Sequence, residues 1–242
     1  MSGRHSESMT FDADDRLSMN WPLFGLRLQC RAVTLRPVRE ADLGHLAATQ
    51  PDDYEHDPRA EVIPGLDAAQ HRARLVYQDY WRSMGTWSTA SWSLTFVVEY
   101  AGRVVGVQSL EAHDFLAVRT VDSGSWLTPA VRGRGIGVAM RMAVLGLAFD
   151  HLGAYAAVSS ARRDNGASLG VSTRLGYRDN GVSLNASGRG LTELAHMRLT
   201  AADWRSSDQA GRVHVSGLEP CLPWFGLAQH VAPMDGTPPR SQ

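Results

Sequence analysis

Short runs of apolar and β-branched residues separated by turn residues dominate the middle of the chain, and after Pro129 the apolar positions switch to a helical period. Residues 92–100, 104–110 and 118–127 read as three strands, the first two joined by a turn at Gly102, which predicts an antiparallel meander. Beyond Pro129, Ile136, Met140, Ala143, Val144 and Leu147 fall on one helical face, and Gly153 is placed to end that helix. Upstream, a strand at 33–36 stops at Pro37, and Leu43, Leu46 and Ala47 share a helix face. Residues 49–66 look irregular, and Asp67 is placed to cap a helix running to about Met84, where Gly85 ends it. Downstream, a strand at 154–160 precedes a short helix capped by Asp164 or Asn165, with Ala167, Val171 and Leu175 on one side and Gly176 after it. Two strands, 177–184 and 192–199, complete the pattern. The order predicts one α/β domain with a mixed sheet.

The domain is expected to span 21–204, after a polar, aperiodic and flexible segment at 1–20. An extension follows at 205–242. Val213 and Val215 alternate there like a short strand, and the apolar run Cys221-Leu222-Pro223-Trp224-Phe225 is expected to dock on its own sheet or on a second subunit, which leaves a homodimer open. Docking is expected to reach about residue 227, with a flexible end beyond it.

Composition narrows the chemistry. The 242 residues carry a formal net charge of -1 and no run of five like charges, which disfavours nucleic-acid binding driven by counterion release. All 24 basic residues are arginine, so a Schiff-base lysine and a P-loop lysine are excluded. Two cysteines, Cys30 and Cys221, cannot build a thiolate zinc site, and no CxxC or HExxH spacing points to a metal. Acidic residues interrupt the first 20 positions, no stretch of 18 apolar residues occurs, and the expected location is the cytoplasm, with no membrane partner and reduced thiols.

The chemistry-bearing segment is Trp126-Leu127-Thr128-Pro129-Ala130-Val131-Arg132-Gly133-Arg134-Gly135-Ile136-Gly137-Val138. A strand ends, a glycine-rich loop follows, and a helix begins at once. The unpaired N–H groups of a helix's first turn and its dipole suit phosphate oxygens, and glycines let backbone approach a ligand. A Walker loop needs the missing lysine, and a dinucleotide loop needs a later third glycine and an acid near 155, where Ala154-Tyr155-Ala156 stands. The remaining pattern, Arg132-x-x-Gly135-x-Gly137, resembles the acyl-CoA pyrophosphate loop of the GNAT acyltransferases. Val33-Thr34-Leu35-Arg36-Pro37 with Glu40-Ala41-Asp42, Gly124-Ser125-Trp126 before the loop, and Asp164-Asn165-Gly166-Ala167-Ser168 with Leu175-Gly176-Tyr177 resemble the ribosomal-protein N-terminal acetyltransferase branch, over roughly 33–204.

That resemblance implies a mixed, mostly antiparallel sheet splayed at its centre and flanked by helices, with pantetheine in the notch between the strand ending at Leu127 and the strand near Val158. It implies backbone contacts from Trp126 and Leu127, a pyrophosphate cradle from Arg132, Gly133, Arg134, Gly135, Ile136, Gly137 and Val138, and a polar helix face of Asn165, Ser168 and Ser172. Arg174 matches a basic position near the nucleotide. The implied reaction is direct attack of a neutral amine on a thioester, and three jobs follow: collecting a proton, steadying an oxyanion and protonating sulfur. Asp122 stands where many relatives have glutamate and is the first candidate base, with Glu111 and Asp114 as rivals. Ser168 matches the serine near sulfur, whereas Tyr177 falls at a packing position. The expected donor is acetyl-CoA, with succinyl-CoA or another acyl-CoA as alternatives, and the acceptor is a primary amine that the acidic 52–57 stretch would attract. An acyl-CoA-binding module without turnover and an antibiotic N-acetyltransferase are the competing readings.

Overall fold

The structure is a computed structural model that describes residues 13–54, 56, 60–187 and 190–227. In chain order the elements are α1 (Ala13–Asn20), β1 (Arg27–Cys30), β2 (Val33–Pro37), α2 (Leu43–Thr49), α3 (Ala68–Gly85), β3 (Trp92–Tyr100) and β4 (Arg103–Ala112). Then come α4 (Phe115–Val118), β5 (Thr120–Val121), β6 (Ser125–Leu127), α5 (Ile136–Gly146), β7 (Ala156–Arg162), α6 (Gly166–Arg174), β8 (Arg178–Ser187), β9 (Gly190–Thr200), α7 (Ala201–Ser206) and β10 (His214–Ser216). Helix α1 occupies part of the stretch expected to be flexible, and residues 1–12 and 228–242 lie outside the described residues.

The strands form two sheets. One has the order β10-β1-β2-β3-β4-β6 and is antiparallel throughout; the other has the order β5-β7-β9-β8. The mixed, splayed architecture matches the expectation, but the strand expected at 118–127 is a correction. Its first residue, Val118, closes helix α4, which is framed by Asp114 and Arg119 in left-handed conformation. Thr120 and Val121 then pair in parallel with Ala156 and Ala157, whereas Ser125 to Leu127 pair antiparallel with β4. The segment reads as one strand in sequence, but its two halves have different partners, and the isolated bridge Glu111–Asp122 marks the changeover.

Helix α5 covers one face of the larger sheet, where Ile136, Ala139, Met140, Ala143 and Val144 join Leu28, Leu35, Phe96 and Leu110 in the main core. It continues as a π-helical turn, Leu147–His151, and the chain leaves through Gly153 with φ +70°. Helices α2 and α3 cover the opposite face, packing on a smaller cluster of Val38, Leu43, Leu46, Val97 and Trp126. Asp67 caps α3 by accepting from the Gln70 N–H at 2.8 Å.

Strand β1 was not anticipated, because the alternation of buried Leu28 and Cys30 with Arg27 and Gln29 covers only four residues. It pairs with β2 on one side and with β10 on the other. After β10 a 3-10 helix, Glu219–Phe225, buries Cys221, Leu222 and Phe225. Trp224 meets Trp21 edge-on at 4.4 Å, and the Trp87 indole N–H donates to the Trp224 carbonyl at 3.0 Å. Both cysteines are free and buried, and burial pushes the Cys221 thiol up to about 12.

Candidate active site

The two sheets part company between β6 and β7, and hydrogen-bond parity shows what β6 offers to that notch. Asp122 and Glu111 exchange both backbone hydrogen bonds, the Ser109 N–H donates to the Gly124 carbonyl at 2.8 Å, and the Thr128 N–H donates to the Val105 carbonyl at 2.9 Å. The same parity commits the Trp126 backbone to Val107, its register partner on β4. The N–H groups of Ser125 and Leu127 therefore point the other way, into the notch. This corrects the expectation for Trp126, whose backbone belongs to the ladder; its side chain packs under α2 and α3 instead. Ser125 was missed, since parity is not visible until the pairing partner is known.

Beyond Leu127 the chain turns through Pro129–Val131 into the glycine-rich loop. Gly133 and Gly135 adopt φ +76° and +79°, conformations that favour glycine, and a side chain at either would meet open space. Gly135 precedes α5 without a side-chain cap, and the first bond there runs from the Ala139 N–H to the Gly135 carbonyl. The N–H groups of Ile136, Gly137 and Val138 are thus the unpaired donors of the first turn. With the dipole of an 11-residue helix behind them, they fit a pyrophosphate. Gly137 has a packing reason too, because a Cβ there would come within 3.3 Å of Val171 on α6.

Arg134 is exposed beside these donors, but Arg132 is occupied. Its guanidinium grips Asp53 with two hydrogen bonds, at 2.6 and 2.8 Å, and its Nε donates to the Leu127 carbonyl at 3.0 Å. A carboxylate thus sits on the side chain expected to assist phosphate binding. Asp53→Asn is expected to tighten CoA binding by about 1.5- to 5-fold, the worth of an exposed ion pair, as read by titration calorimetry.

On α6, Asn165 caps the helix, its Oδ1 accepting from the Ser168 N–H at 3.0 Å. Ser168 is half-buried, and Arg174 is exposed at the far end. Ser172 departs from expectation: it is 2% exposed and belongs to the interior, so the polar face reduces to Asn165 and Ser168. Tyr177 is buried in the main core, and burial pushes its hydroxyl up to about 12, which fits packing better than proton transfer.

A cavity of about 670 Å³ lies between the α2–α3 face and strands β3, β4 and β6. Register sets out the sheet beneath it in rows: Val97, Val107 and Trp126; then Thr95, Ser109 and Gly124; then Ser93, Glu111 and Asp122. Glu111 lines the cavity, whereas Asp122 and Asp114 are not among its lining residues. Burial and the Asp122 carboxylate push the Glu111 carboxyl above its usual range. Burial raises Asp122 as well, offset in part by the Ser123 N–H, at 2.6 Å from its Oδ1, and by the charge of Arg141.

Residues 32–178 match the family described as acetyltransferase (GNAT) domain. The chain belongs to the GNAT acetyltransferase family. Among solved structures it resembles Mycobacterium smegmatis RimJ in complex with CoA-disulfide, at 22% identity and TM-score 0.59, covering 80% of this chain and 98% of that one. A GCN5-related N-acetyltransferase from Brucella melitensis aligns at 20% identity and TM-score 0.57, covering 74% of this chain and 80% of its own. A spermidine N-acetyltransferase chimera of Vibrio cholerae SpeG and hSSAT aligns at 14% identity and TM-score 0.55, covering 73% and 100%.

Within this GNAT fold a buried arginine lies on the α5 side of the changeover. Arg141, 3% exposed, donates to the Ser159 hydroxyl on β7 at 3.0 Å. It ties α5 to β7 and supplies positive charge near Asp122 and Tyr177. The sequence signal was an arginine between Met140 and Met142 in an otherwise apolar helix.

Proposed function

We propose that this GNAT protein is a cytoplasmic N-acyltransferase that moves an acetyl group from acetyl-CoA to a primary amine, with Glu111 collecting the amine proton. The observation that carries this reading is the meeting of the two sites at β6. Its notch edge presents the Ser125 and Leu127 N–H groups, and its cavity edge leads from Trp126 to the row holding Glu111.

Each residue then has a task. The unpaired N–H groups at the start of α5, with Arg134, bind the pyrophosphate; Arg132 joins them on leaving Asp53, and Arg174 supports the nucleotide end. The Leu127 N–H steadies the thioester oxygen as it gains charge. Glu111, with its affinity for a proton raised, accepts the amine proton directly or through one water, and Asp122 beside it keeps that affinity high. The Ser168 hydroxyl donates to the departing sulfur, and Asn165 holds the helix turn that carries it.

The test is thermal stability with saturating CoA, acetyl-CoA and succinyl-CoA in parallel, followed by thiol release with amines. A ligand at 100 times its Kd adds about 2.7 kcal/mol, so the midpoint is expected to rise by roughly 5 to 11 °C. No rise with any of the three overturns the reading, and a larger rise with succinyl-CoA at matched concentration moves the donor assignment to it. Binding without turnover of any amine would make the protein an acyl-CoA-binding module.

A further inference from the structure

The cavity beneath α2 and α3 combines an apolar body with little negative charge. Its wall and roof include Val38, Leu43, Leu46 and Val76, its apolar floor Trp126, and its polar end is the row of Ser109 and Gly124 beside Glu111. Gly124 leaves that floor bare next to the notch, where a Cβ would meet the Ser109 hydroxyl at 3.1 Å.

Among the described residues lining the cavity, the carboxylates are Asp79 and Glu111. Asp79 is paired with Arg82, which also lines the cavity, at 3.0 Å, so the two together add no net charge. Of the acidic stretch expected to draw a cation, Asp52 is paired with Arg72 at 2.7 Å and Asp53 with Arg132, whereas Glu55 and Asp57 lie outside the described residues. His113 and Arg82 are the other ionisable groups of the lining apart from the tyrosines Tyr54 and Tyr80. Among the described lining residues that leaves one carboxylate, Glu111, for one ammonium. Bringing a second or third ammonium into the cavity would strip its water without supplying a counter-charge. A volume of about 670 Å³ exceeds what an amine head group needs and falls within the range of small-molecule sites, about 300 to 1,000 Å³.

Building on the acyltransferase reading, we propose that the acceptor is a small monoamine with an apolar body. Its nitrogen lies over the Ser109–Gly124 row between Glu111 and the notch, and its hydrocarbon or aromatic part lies against Leu43, Leu46, Val76 and Trp126. In the transfer, a bond forms between nitrogen and the acyl carbon as the carbon–sulfur bond breaks; the amine proton goes to Glu111, the sulfur leaves as thiolate with the Ser168 hydroxyl donating to it, and the thiolate takes a proton from water to become CoA thiol while Glu111 returns its proton to water.

The experiment uses the full chain with acetyl-CoA and compares phenethylamine and hexylamine with spermidine, kanamycin and a short peptide bearing a free N-terminus. Thiol release is followed, and amine binding to the CoA-saturated protein is measured by calorimetry. The expected result is a kcat/KM at least tenfold higher for the two monoamines. Val76→Asp, which adds a carboxylate to the roof, is expected to lower monoamine kcat/KM at least tenfold and raise that of spermidine, with the thermal shift given by CoA unchanged. A preference for spermidine, kanamycin or the peptide overturns the inference, as does failure of both monoamines to bind or react. In each of those cases a CoA-induced thermal shift preserves the acyl-CoA-binding assignment, and absence of that shift removes the acyltransferase reading itself.

Discussion

Glu111→Gln is expected to lower kcat/KM for acetyl transfer by about 10²- to 10⁴-fold, the usual worth of a positioned general base. The amide keeps the size and the strand pairing of Glu111 but cannot accept the proton, so the CoA-induced thermal shift should stay at the wild-type value. A pH profile separates this role from a structural one. The base works ionised, so kcat/KM should climb as pH rises through the Glu111 pKa, and that limb should lie above the ordinary carboxylate range because burial and Asp122 raise it. Asp122→Asn removes the neighbouring negative charge, lowers the Glu111 pKa and should move the limb to lower pH. If Asp122→Asn instead abolishes turnover while Glu111→Gln leaves it intact, the two roles are exchanged and Asp122 is the base.

Gly106→Ala is expected to have the largest structural effect of a single methyl group. Gly106 pairs with Leu127, and a Cβ there would lie 2.2 Å from the Trp126 carbonyl oxygen and 3.0 Å from the Leu127 Cα. Both are backbone atoms of β6, so the strand carrying the notch donors must move. Overpacking of this kind costs about 1–3 kcal/mol, which lowers the midpoint by roughly 2–12 °C in a chain of this size. The thermal shift with acetyl-CoA should also fall to less than half, because the Leu127 N–H is displaced. Gly124→Ala is the control for stability: its Cβ would meet only the Ser109 hydroxyl, which rotates, so its midpoint should change far less. Equal midpoints for wild type and Gly106→Ala would show that β6 yields without cost.

The elements around the glycine-rich loop were legible because each rests on local signals. The helical period from Ile136, the three glycines and the Asn165 cap are properties of neighbouring residues, and α5 and α6 fall where those signals put them. Features that depend on distant partners were not legible. Residues 118–127 read as one strand in sequence, and only the pairing of Thr120 with Ala156 and of Leu127 with Gly106 divides them between two sheets. Glu111 and Asp122 were both recognised as carboxylates near the loop, but which one lines the cavity depends on the α3 side of the fold. The Arg132–Asp53 pair spans 79 positions and leaves no trace in spacing. Ser172 shares a nominal helix stripe with Asn165 and Ser168, yet it is buried near the turn into Tyr177, whose N–H donates to its carbonyl.

The pairing of β1 with β10 also bears on synthesis. Residues 27–29 of β1 wait for 214–216 of β10, about 190 positions later, and at about 5–20 residues per second that interval lasts roughly 10 to 40 s. Throughout it, one edge of β1 exposes backbone donors and acceptors to any extended chain nearby. The nascent protein therefore carries an open strand edge until residues 214–216 leave the ribosome, and a chain released early, before residue 214, would keep that edge for good.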